Sequence, residues 1–282
     1  MSRCSTPRAT HRQRDRLTPA LRARVDAFPL ADRGHGYDAL GLSREGVARA
    51  LRLAMPLYER WFRVESRGVE NIPREGAAIL AANHSGALPF DALMLTLDVA
   101  LRSSPPRLAR PIEDSFVTHL PFINTLFSRA GAVGGSRGNV EAVLRAGELL
   151  LIFPEGVPGI SKPFRERYRL QEWRVGHAEL AIRHRVPVVP VALVGAEEQM
   201  PLLFRIPLPR FVGIPHFPVT LVPFPLPVRY HVLYGEPIAL HERYEPASAD
   251  WPEVVEEASL TVRDAVDRLL QEGLRTRRGV FS

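Results

Sequence analysis

Three short, wholly apolar segments constrain the fold of this chain more than any other feature. They occupy residues 77–82, 149–153 and 186–194. Apolar runs of this length predict strands that are buried on both faces, as in parallel sheets covered by helices. A further strand is predicted over residues 231–234. The central sheet should therefore be mostly parallel.

Amphipathic segments separate these strands. Apolar residues at steps of three and four predict helices from Asp91 onward and over 121–129, 139–146, 173–183 and 251–274. Asn139 is the predicted cap of the third helix, and Gly131 closes the second. The alternation predicts one α/β domain with a mostly parallel central sheet flanked by helices. Chemistry in such sheets gathers at the carboxyl ends of the strands.

The amino-terminal region differs in composition. Residues 1–40 are rich in arginine and contain no apolar run, which predicts a flexible basic arm rather than a secretory signal. Within 41–63, Ser43 is the predicted cap of a basic amphipathic helix. Its apolar stripe can contact a lipid surface or pack on the remaining domain, 64–282. Both alternatives are open from sequence alone.

The charge balance narrows the class of partner. The net charge is +6, and 36 of the 37 basic residues are arginine. This surplus fits nucleic acid, a phospholipid surface or a phosphorylated small molecule. No basic patch with interleaved aromatic residues supports nucleic-acid binding, which is kept as the weaker alternative. Cys4 is the sole cysteine and no HExxH motif occurs, so we expect no disulfide and no metal.

No apolar stretch is long enough for a regular membrane-spanning helix. The nearest candidate, residues 211–228, contains five prolines, which forbid a continuous helix. This run can line a groove for an apolar ligand, touch lipid, or pack irregularly in the core. The sequence favours none of these three.

Two loops that follow buried strands carry the candidate chemistry. The first contains Asn83, His84 and, further along, Asp91. A histidine oriented by a carboxylate can act as a general base, although a structural histidine followed by a helix-capping aspartate has the same pattern. The second loop contains Glu155 and Gly156. Two glycines in this loop allow a ligand to approach the backbone.

Four motifs together resemble the glycerol-phosphate and lysophospholipid acyltransferase family. They are NHSGALPFD, AGAVGGSRGNVEAVL, FPEG and VPVVPVAL, in the order typical of the family. The resemblance implies that His84 deprotonates the acceptor hydroxyl and that Asp91 orients His84. The donor would be acyl-coenzyme A or acyl carrier protein, with no cofactor. The resemblance further implies substrate-binding residues, namely Asn83, Arg137, Glu155 and Gly156, of which Arg137 would hold phosphate.

Two departures from the family pattern bear on the acceptor. Six residues separate His84 from Asp91, where the family usually has four. Val157 and Pro158 stand where the family usually has threonine and a phosphate-binding arginine. The six-residue spacing and the later segment KPFRERYRL, residues 162–170, resemble the monoacylglycerol and diacylglycerol acyltransferase branch. A phosphorylated acceptor such as lysophosphatidic acid and a neutral alcohol are both open.

One further motif fits a different class of enzyme. Ser136 lies in GGSRG, which matches the nucleophile elbow of serine hydrolases. Such an elbow requires a strong buried strand before it, and residues 130–133 make a weak one. The favoured hypothesis is therefore an O-acyltransferase that makes a lipid ester, lies in the cytoplasm and binds peripherally to the inner face of the cell membrane. A serine hydrolase and a non-catalytic basic binding protein are the alternatives.

Overall fold

The computed structural model describes residues 17–32, 34–86, 88–113, 117, 122–208 and 216–282. Within these ranges, nine strands form two sheets. The strands are β1 (Glu65–Arg67), β2 (Ala78–Ala82), β3 (Ala109–Glu113), β4 (Val133–Gly134), β5 (Leu149–Ile152), β6 (Val188–Val194), β7 (Leu202–Pro207), β8 (His216–Thr220) and β9 (His231–Tyr234).

Seven of these strands form the central sheet, in the order β1-β9-β6-β2-β5-β3-β4. The five strands from β6 to β4 are mutually parallel, and β9 pairs antiparallel with β6. Leu80 of β2 lies between Leu151 of β5 and Val189 of β6. The predicted α/β fold with a mostly parallel central sheet is confirmed. Strands β7 and β8 form a separate antiparallel ribbon.

Helices cover both faces of the central sheet. They are α1 (Pro19–Asp26), α2 (Arg44–Pro56), α3 (Phe90–Arg102), α4 (Ile123–Ala130), α5 (Arg137–Arg145), α6 (Val157–Ile160), α7 (Gly176–His184), α8 (Ala196–Gln199), α9 (Leu240–Arg243) and α10 (Pro252–Thr276). Because side chains alternate along a strand, Leu80 packs with the α1–α3 layer and Ile79 with the layer of α5, α7 and α10. The buried strands are thus covered on both sides.

Some predicted boundaries are wrong. Helix α5 begins at Arg137, and its cap is Ser136, whose hydroxyl accepts a hydrogen bond from the Asn139 amide at 3.3 Å. Asn139 is therefore inside the helix. Strand β3 was not predicted because its sequence, ARPIE, contains two charged residues and a proline. Its buried Arg110 side chain forms ion pairs with partners that lie far away along the chain.

Of the predicted flexible arm, residues 1–40, the structure describes residues 17–32 and 34–40, and this part includes a helix, while residues 1–16 and Arg33 lie outside the described ranges. Helix α1 packs on the domain, with Val25 and Phe28 buried in the core. The apolar stripe of α2 and the π-helical turn after it is buried as well, including Leu51 and Phe62. The stripe therefore packs on the domain. No described helix combines the length and apolar character needed to cross a membrane.

Candidate active site

The two predicted catalytic side chains meet at the carboxyl end of β2. Nδ1 of His84 lies 2.6 Å from Oδ2 of Asp91, which is fully buried in the first turn of α3. Gly86 adopts a φ of +87°, a conformation that glycine takes without a steric cost. This turn helps the longer loop bring the pair together in spite of six intervening residues.

The hydrogen bonds of Asp91 orient the imidazole. Its Oδ2 also accepts from the Ser85 amide at 2.8 Å, and its Oδ1 accepts from the Ala92 amide at 2.7 Å. When Nδ1–H of His84 donates to this carboxylate, Nε2 carries the lone pair and can take a proton. The His84 ring also stacks on Phe153, with centroids 4.2 Å apart. Both contacts limit rotation of the ring.

A pocket of about 380 Å³ opens beside His84. Its walls come from the ends of β3, β4 and β5 and from the start of α7. Apolar side chains such as Phe153 and Leu180 line it together with polar groups. This mixture is typical of a site for a small molecule with an apolar body and a polar end.

Two guanidinium groups line the same pocket. Arg137 is exposed and forms ion pairs with Glu141 at 3.3 Å and Glu179 at 2.9 Å. Arg174, which the motif search did not identify, lies against Gly156, where an added Cβ would be 3.3 Å from the Arg174 Cζ. Its guanidinium pairs with no carboxylate among the described residues. Arg174 stands well beyond the FPEG motif in the sequence, so the spacing of the motif did not indicate it as a site residue.

Asn83 and Glu155 lie beneath the pocket instead of lining it, which differs from the predicted contact with substrate. The Asn83 amide donates to the Leu193 carbonyl at 3.1 Å and accepts from the Leu193 amide at 2.7 Å, so it joins β2 to β6. The buried Glu155 carboxylate accepts from the His84 amide at 3.0 Å and from the Gln171 amide at 2.7 Å. Both side chains therefore hold neighbouring backbone segments in place through hydrogen bonds. Gly156 lines the pocket.

A buried ionic group, which we call the Lys162 cluster, consists of Glu155, Lys162 and Glu197. Nζ of Lys162 lies 3.4 Å from Oε2 of Glu155 and 2.9 Å from Oε1 of Glu197. The other Glu197 oxygen accepts from the Tyr168 amide at 2.9 Å. Burial raises the pKa of Glu197 to about 6, and the Lys162 cation opposes this rise. Sequence patterns gave no indication of this cluster.

Helix α6 packs directly beneath the histidine. A Cβ added at Gly159 would lie 2.8 Å from Cβ of His84 and 2.9 Å from Cβ of Glu155. Distances this short exclude any larger residue unless the backbone moves. Gly159 therefore allows the loop after β5 to approach the loop after β2, which the sequence alone did not reveal.

His177 is a second buried histidine among the residues that line the pocket. Its Nδ1 lies 3.0 Å from the Arg174 carbonyl, so Nδ1–H donates to that oxygen. Burial lowers the pKa of His177 to about 4, so the ring is neutral at pH 7. This hydrogen bond ties the start of α7 to the segment that carries Arg174.

Ser136 does not form a nucleophile elbow. The strand before it, β4, has only two residues at the edge of the sheet. The backbone of Ser136 is extended, with φ −75° and ψ 147°, and its hydroxyl caps α5. No histidine donates to or accepts from Ser136 among the described residues. The serine hydrolase alternative is therefore wrong.

Comparison with known proteins finds an acyltransferase family model and several similar proteins. A family model described as Acyltransferase matches residues 63–194. An uncharacterised protein of Mycobacterium tuberculosis is 39% identical over 234 residues, which cover 79% of this chain and 65% of that protein. The bovine "DGAT1/2-independent enzyme synthesizing storage lipids" is 28% identical over 229 residues, covering 79% of this chain and 63% of its own length. This chain thus spans less than two thirds of these relatives.

A solved structure shares the fold. It is the 1-acyl-sn-glycerophosphate (LPA) acyltransferase, PlsC, from Thermotoga maritima, which matches with a TM-score of 0.53 and 20% identity. The match covers 84% of this chain and 80% of that one. Residues 63–194, which the family model matches, contain His84, Asp91 and Glu155. These residues lie at the carboxyl edge of the parallel sheet. Through residues 63–194, the chain is similar to the acyltransferase family.

Proposed function

We propose that this protein is an O-acyltransferase that moves a fatty acyl group from an acyl thioester to a hydroxyl of a glycerolipid. The observation that carries the proposal is the 2.6 Å contact between His84 and the buried Asp91 beside a pocket of substrate size. The family match over the same residues supports it. His84 and Asp91 are the proposed catalytic pair, and acyl-coenzyme A or acyl carrier protein is the proposed donor.

The reaction needs only a base and correct positioning. Nε2 of His84 takes the proton of the acceptor hydroxyl as its oxygen attacks the thioester carbonyl carbon. The tetrahedral intermediate collapses, the carbon–sulfur bond breaks, and the ester remains on the acceptor. The imidazolium then returns its proton to the departing thiolate. Asp91 stabilises the imidazolium throughout, and general base catalysis contributes about 10²–10⁴-fold.

Arg137 and Arg174 support a phosphorylated acceptor such as lysophosphatidic acid. Both guanidinium groups line the pocket that contains His84, and a guanidinium fork matches phosphate oxygens. Arg174 lies against Gly156, close to the position where Pro158 replaces the usual family arginine. It therefore supplies positive charge that the motif itself lacks.

A neutral alcohol acceptor is the second candidate. Pro158 provides no charge at the usual phosphate position. The bovine relative, at 28% identity, is named as an enzyme that synthesises storage lipids. A monoacylglycerol or diacylglycerol would then occupy the pocket, and Arg137 would remain paired with Glu179. In either case we propose peripheral association with the inner face of the cell membrane.

An acceptor panel tests the reaction. Purified protein is incubated with acyl-coenzyme A or acyl carrier protein and with lysophosphatidic acid, other lysophospholipids, monoacylglycerol or diacylglycerol. We expect a lipid ester from at least one pair, and loss of product by about 10²-fold or more in His84→Ala. Retained turnover in His84→Ala would refute the mechanism, and Ser136→Ala serves as the control that keeps activity.

Charge variants then identify the acceptor class. If the acceptor carries phosphate, Arg174→Gln and Arg137→Gln should raise KM for lysophosphatidic acid by about tenfold, because a charge-assisted hydrogen bond is lost. KM for the acyl donor should stay unchanged. If both variants leave KM unchanged and monoacylglycerol is the better acceptor, the neutral-lipid candidate is correct.

A further inference from the structure

The β7–β8 ribbon presents apolar side chains to solvent. All residues of β7 after Leu202 are exposed, and Phe204, Ile206 and Phe217 lie on one face because Ile206 pairs with Phe217. Phe204 and Phe217 are 57% and 59% exposed, and Leu203 and Ile206 are about as open. A two-stranded ribbon is only marginally stable by itself in water. Exposed apolar clusters of this kind mark interaction surfaces.

The same apolar character continues after the ribbon. Leu221 and Phe224, in the irregular segment that follows β8, are also exposed. Trp61, half-exposed, donates its indole N–H to the Pro225 carbonyl at 3.1 Å, which joins this segment to the end of the α2 region. Part of the proline-rich run therefore supplies surface and not core.

Positive charge lies beside this apolar surface. Arg205 is exposed on the ribbon itself. Arg165 and Arg167 are exposed on the neighbouring loop, and Arg165 lines one depression together with Arg205. Apolar side chains flanked by guanidinium groups complement an anionic phospholipid surface, where the rings enter the headgroup boundary and the cations contact phosphate. A protein partner of this chemistry would have no reason to lie beside a lipid-handling site.

We propose that the β7–β8 ribbon is the element by which this protein docks on an anionic phospholipid bilayer. The proposal rests on the proposed function, because a lipid acceptor resides in such a bilayer. The segment that shares a depression with the ribbon includes Pro158 of α6, two residues after Gly156 of the pocket. Docking therefore places the carboxyl edge of the sheet, with His84, close to the membrane that holds the acceptor.

Vesicle binding tests the docking surface separately from catalysis. The protein is sedimented with vesicles of phosphatidylcholine alone or mixed with phosphatidylglycerol. Wild type should bind the mixed vesicles, and the double variant Phe204→Ser, Phe217→Ser should bind about tenfold more weakly or worse, because each buried ring contributes to transfer. Leu260→Ser, which changes a half-exposed leucine of α10, is the matched control and should bind like wild type.

Two further outcomes decide the proposal. Arg205→Gln should reduce the preference for phosphatidylglycerol, and turnover of the double variant on an acceptor in detergent micelles should equal that of wild type. Unchanged vesicle binding in the double variant would overturn the docking proposal. So would a wild-type dimer that the double variant dissociates in light scattering, because the ribbon would then bind a second copy. Binding without any acyl transfer would refute the proposed function and leave the docking surface intact.

A second and independent observation concerns the single lysine of the chain. Among 37 basic residues, only Lys162 is not arginine, and it is buried in the Lys162 cluster. Its Nζ has three oxygen neighbours, the third being the Arg169 carbonyl at 3.2 Å. A compact ammonium group has three N–H donors for three such acceptors, whereas a planar guanidinium is larger and directs its donors differently.

The geometry points to Lys162 as a positioning residue for His84. Lys162 holds the Glu155 carboxylate, and Glu155 accepts the backbone N–H of His84 at 3.0 Å. Without the cation, the Glu155 and Glu197 carboxylates would face each other in a dry interior with no counter-charge between them. The carboxylate beneath His84 would then lose its fixed orientation. Lys162 itself does not line the pocket beside His84.

Kinetics of charge-matched variants test this role. We expect Lys162→Met to lower kcat about tenfold or more, with little change in KM for the acyl donor. Lys162→Arg should be impaired too. The double variant Lys162→Met, Glu197→Gln should regain most of kcat, because a single carboxylate remains.

A purely structural lysine would behave differently. It would lower the yield of folded protein in Lys162→Met and leave the kcat of the folded fraction, measured by titration of active sites, at the wild-type value. That result would overturn the positioning role. Full activity in Lys162→Arg would overturn the argument from the shape of the ammonium group.

Discussion

Two buried clusters each place one cation between two carboxylates, but only one of them touches the candidate active site. In the Arg110 cluster, Nη1 of Arg110 lies 2.8 Å from Asp38 and 2.6 Å from Glu148, and Nε donates to the Gly131 carbonyl at 2.7 Å. In the Lys162 cluster the cation holds the carboxylate beneath His84. Burial and charge balance alone therefore do not identify a functional site.

The segments that each cluster joins explain the difference. Arg110 ties the loop before α2, the end of α4 and the start of β5 to β3, all of them parts of the scaffold. The Lys162 cluster joins the loops that follow β2, β5 and β6, where the parallel strands end. The carboxyl edge of a parallel sheet is where ligands bind. The position of each cluster in the sheet, and not the type of its interactions, therefore distinguishes the cluster beside the candidate active site from the cluster within the scaffold.

The largest effect is expected when the Arg110 cation is removed. Arg110→Met should lower the free energy of unfolding by about 3–5 kcal/mol, because Asp38 and Glu148 would remain buried without a counter-charge. The kcat of the folded fraction should equal that of wild type. Urea unfolding and an acyl-transfer assay measure the two quantities. A loss of kcat with full stability would show that the Arg110 cluster also serves the site.

Substitution of Glu197 should have the next largest effect on the free energy of unfolding, and this effect depends on pH. Burial raises the pKa of Glu197 to about 6 in the folded protein, against 4.5 in the unfolded chain. The folded state then binds the proton more tightly, so this group contributes stability below about pH 4.5 that is lost as the pH rises to about 6. Glu197→Gln should remove this pH dependence, which amounts to about 2 kcal/mol of the free energy of unfolding.

Urea unfolding at several pH values between about 4 and 7 checks the Glu197 prediction. The matched control is Glu148→Gln in the Arg110 cluster, since burial also raises the pKa of Glu148 while Arg110 opposes the rise. Both variants should flatten the pH dependence of stability. Only Glu197→Gln should also alter the acyl-transfer rate. An unchanged pH slope in Glu197→Gln would contradict the assignment.

Exchange of the cations should give a smaller loss of stability. Arg110→Lys should cost about 1–2 kcal/mol, because an ammonium group at this site cannot replace the bond from Nε to the Gly131 carbonyl. It should leave kcat unchanged, whereas Lys162→Arg should lower kcat. Equal kcat values for the two exchange variants would remove the distinction between the clusters.

The smallest effect is expected for an exposed cation. Arg183 bridges Glu179 at 3.1 Å and Asp250 at 2.7 Å, and the Asp250 side chain is largely exposed. Arg183→Gln should lower the free energy of unfolding by about 0–1 kcal/mol, because solvent screens this pair. Thermal unfolding in low and high salt measures it. A loss as large as that of Arg110→Met would mean that exposure does not control the strength of these clusters.

The central strands and the contact between His84 and Asp91 were predictable from sequence. Strands β2, β5 and β6 are apolar at almost every position, and the observed strands fall within the predicted limits. His84 and Asp91 were predicted from their place after β2. Strand β3 was missed because Arg110 is charged yet buried, and its partners Asp38 and Glu148 are distant in sequence. Local patterns cannot report such a pairing.

The apolar periodicity of the sequence by itself determined a mostly parallel α/β sheet and a His84–Asp91 loop at its carboxyl edge, because burial of a strand depends mainly on its own residues. Only the tertiary structure decided that Asn83 and Glu155 hold backbone instead of lining the pocket. It also decided that the α2 stripe is buried while the β7–β8 ribbon is exposed. These outcomes depend on which surfaces other segments cover, and that is a property of long-range packing.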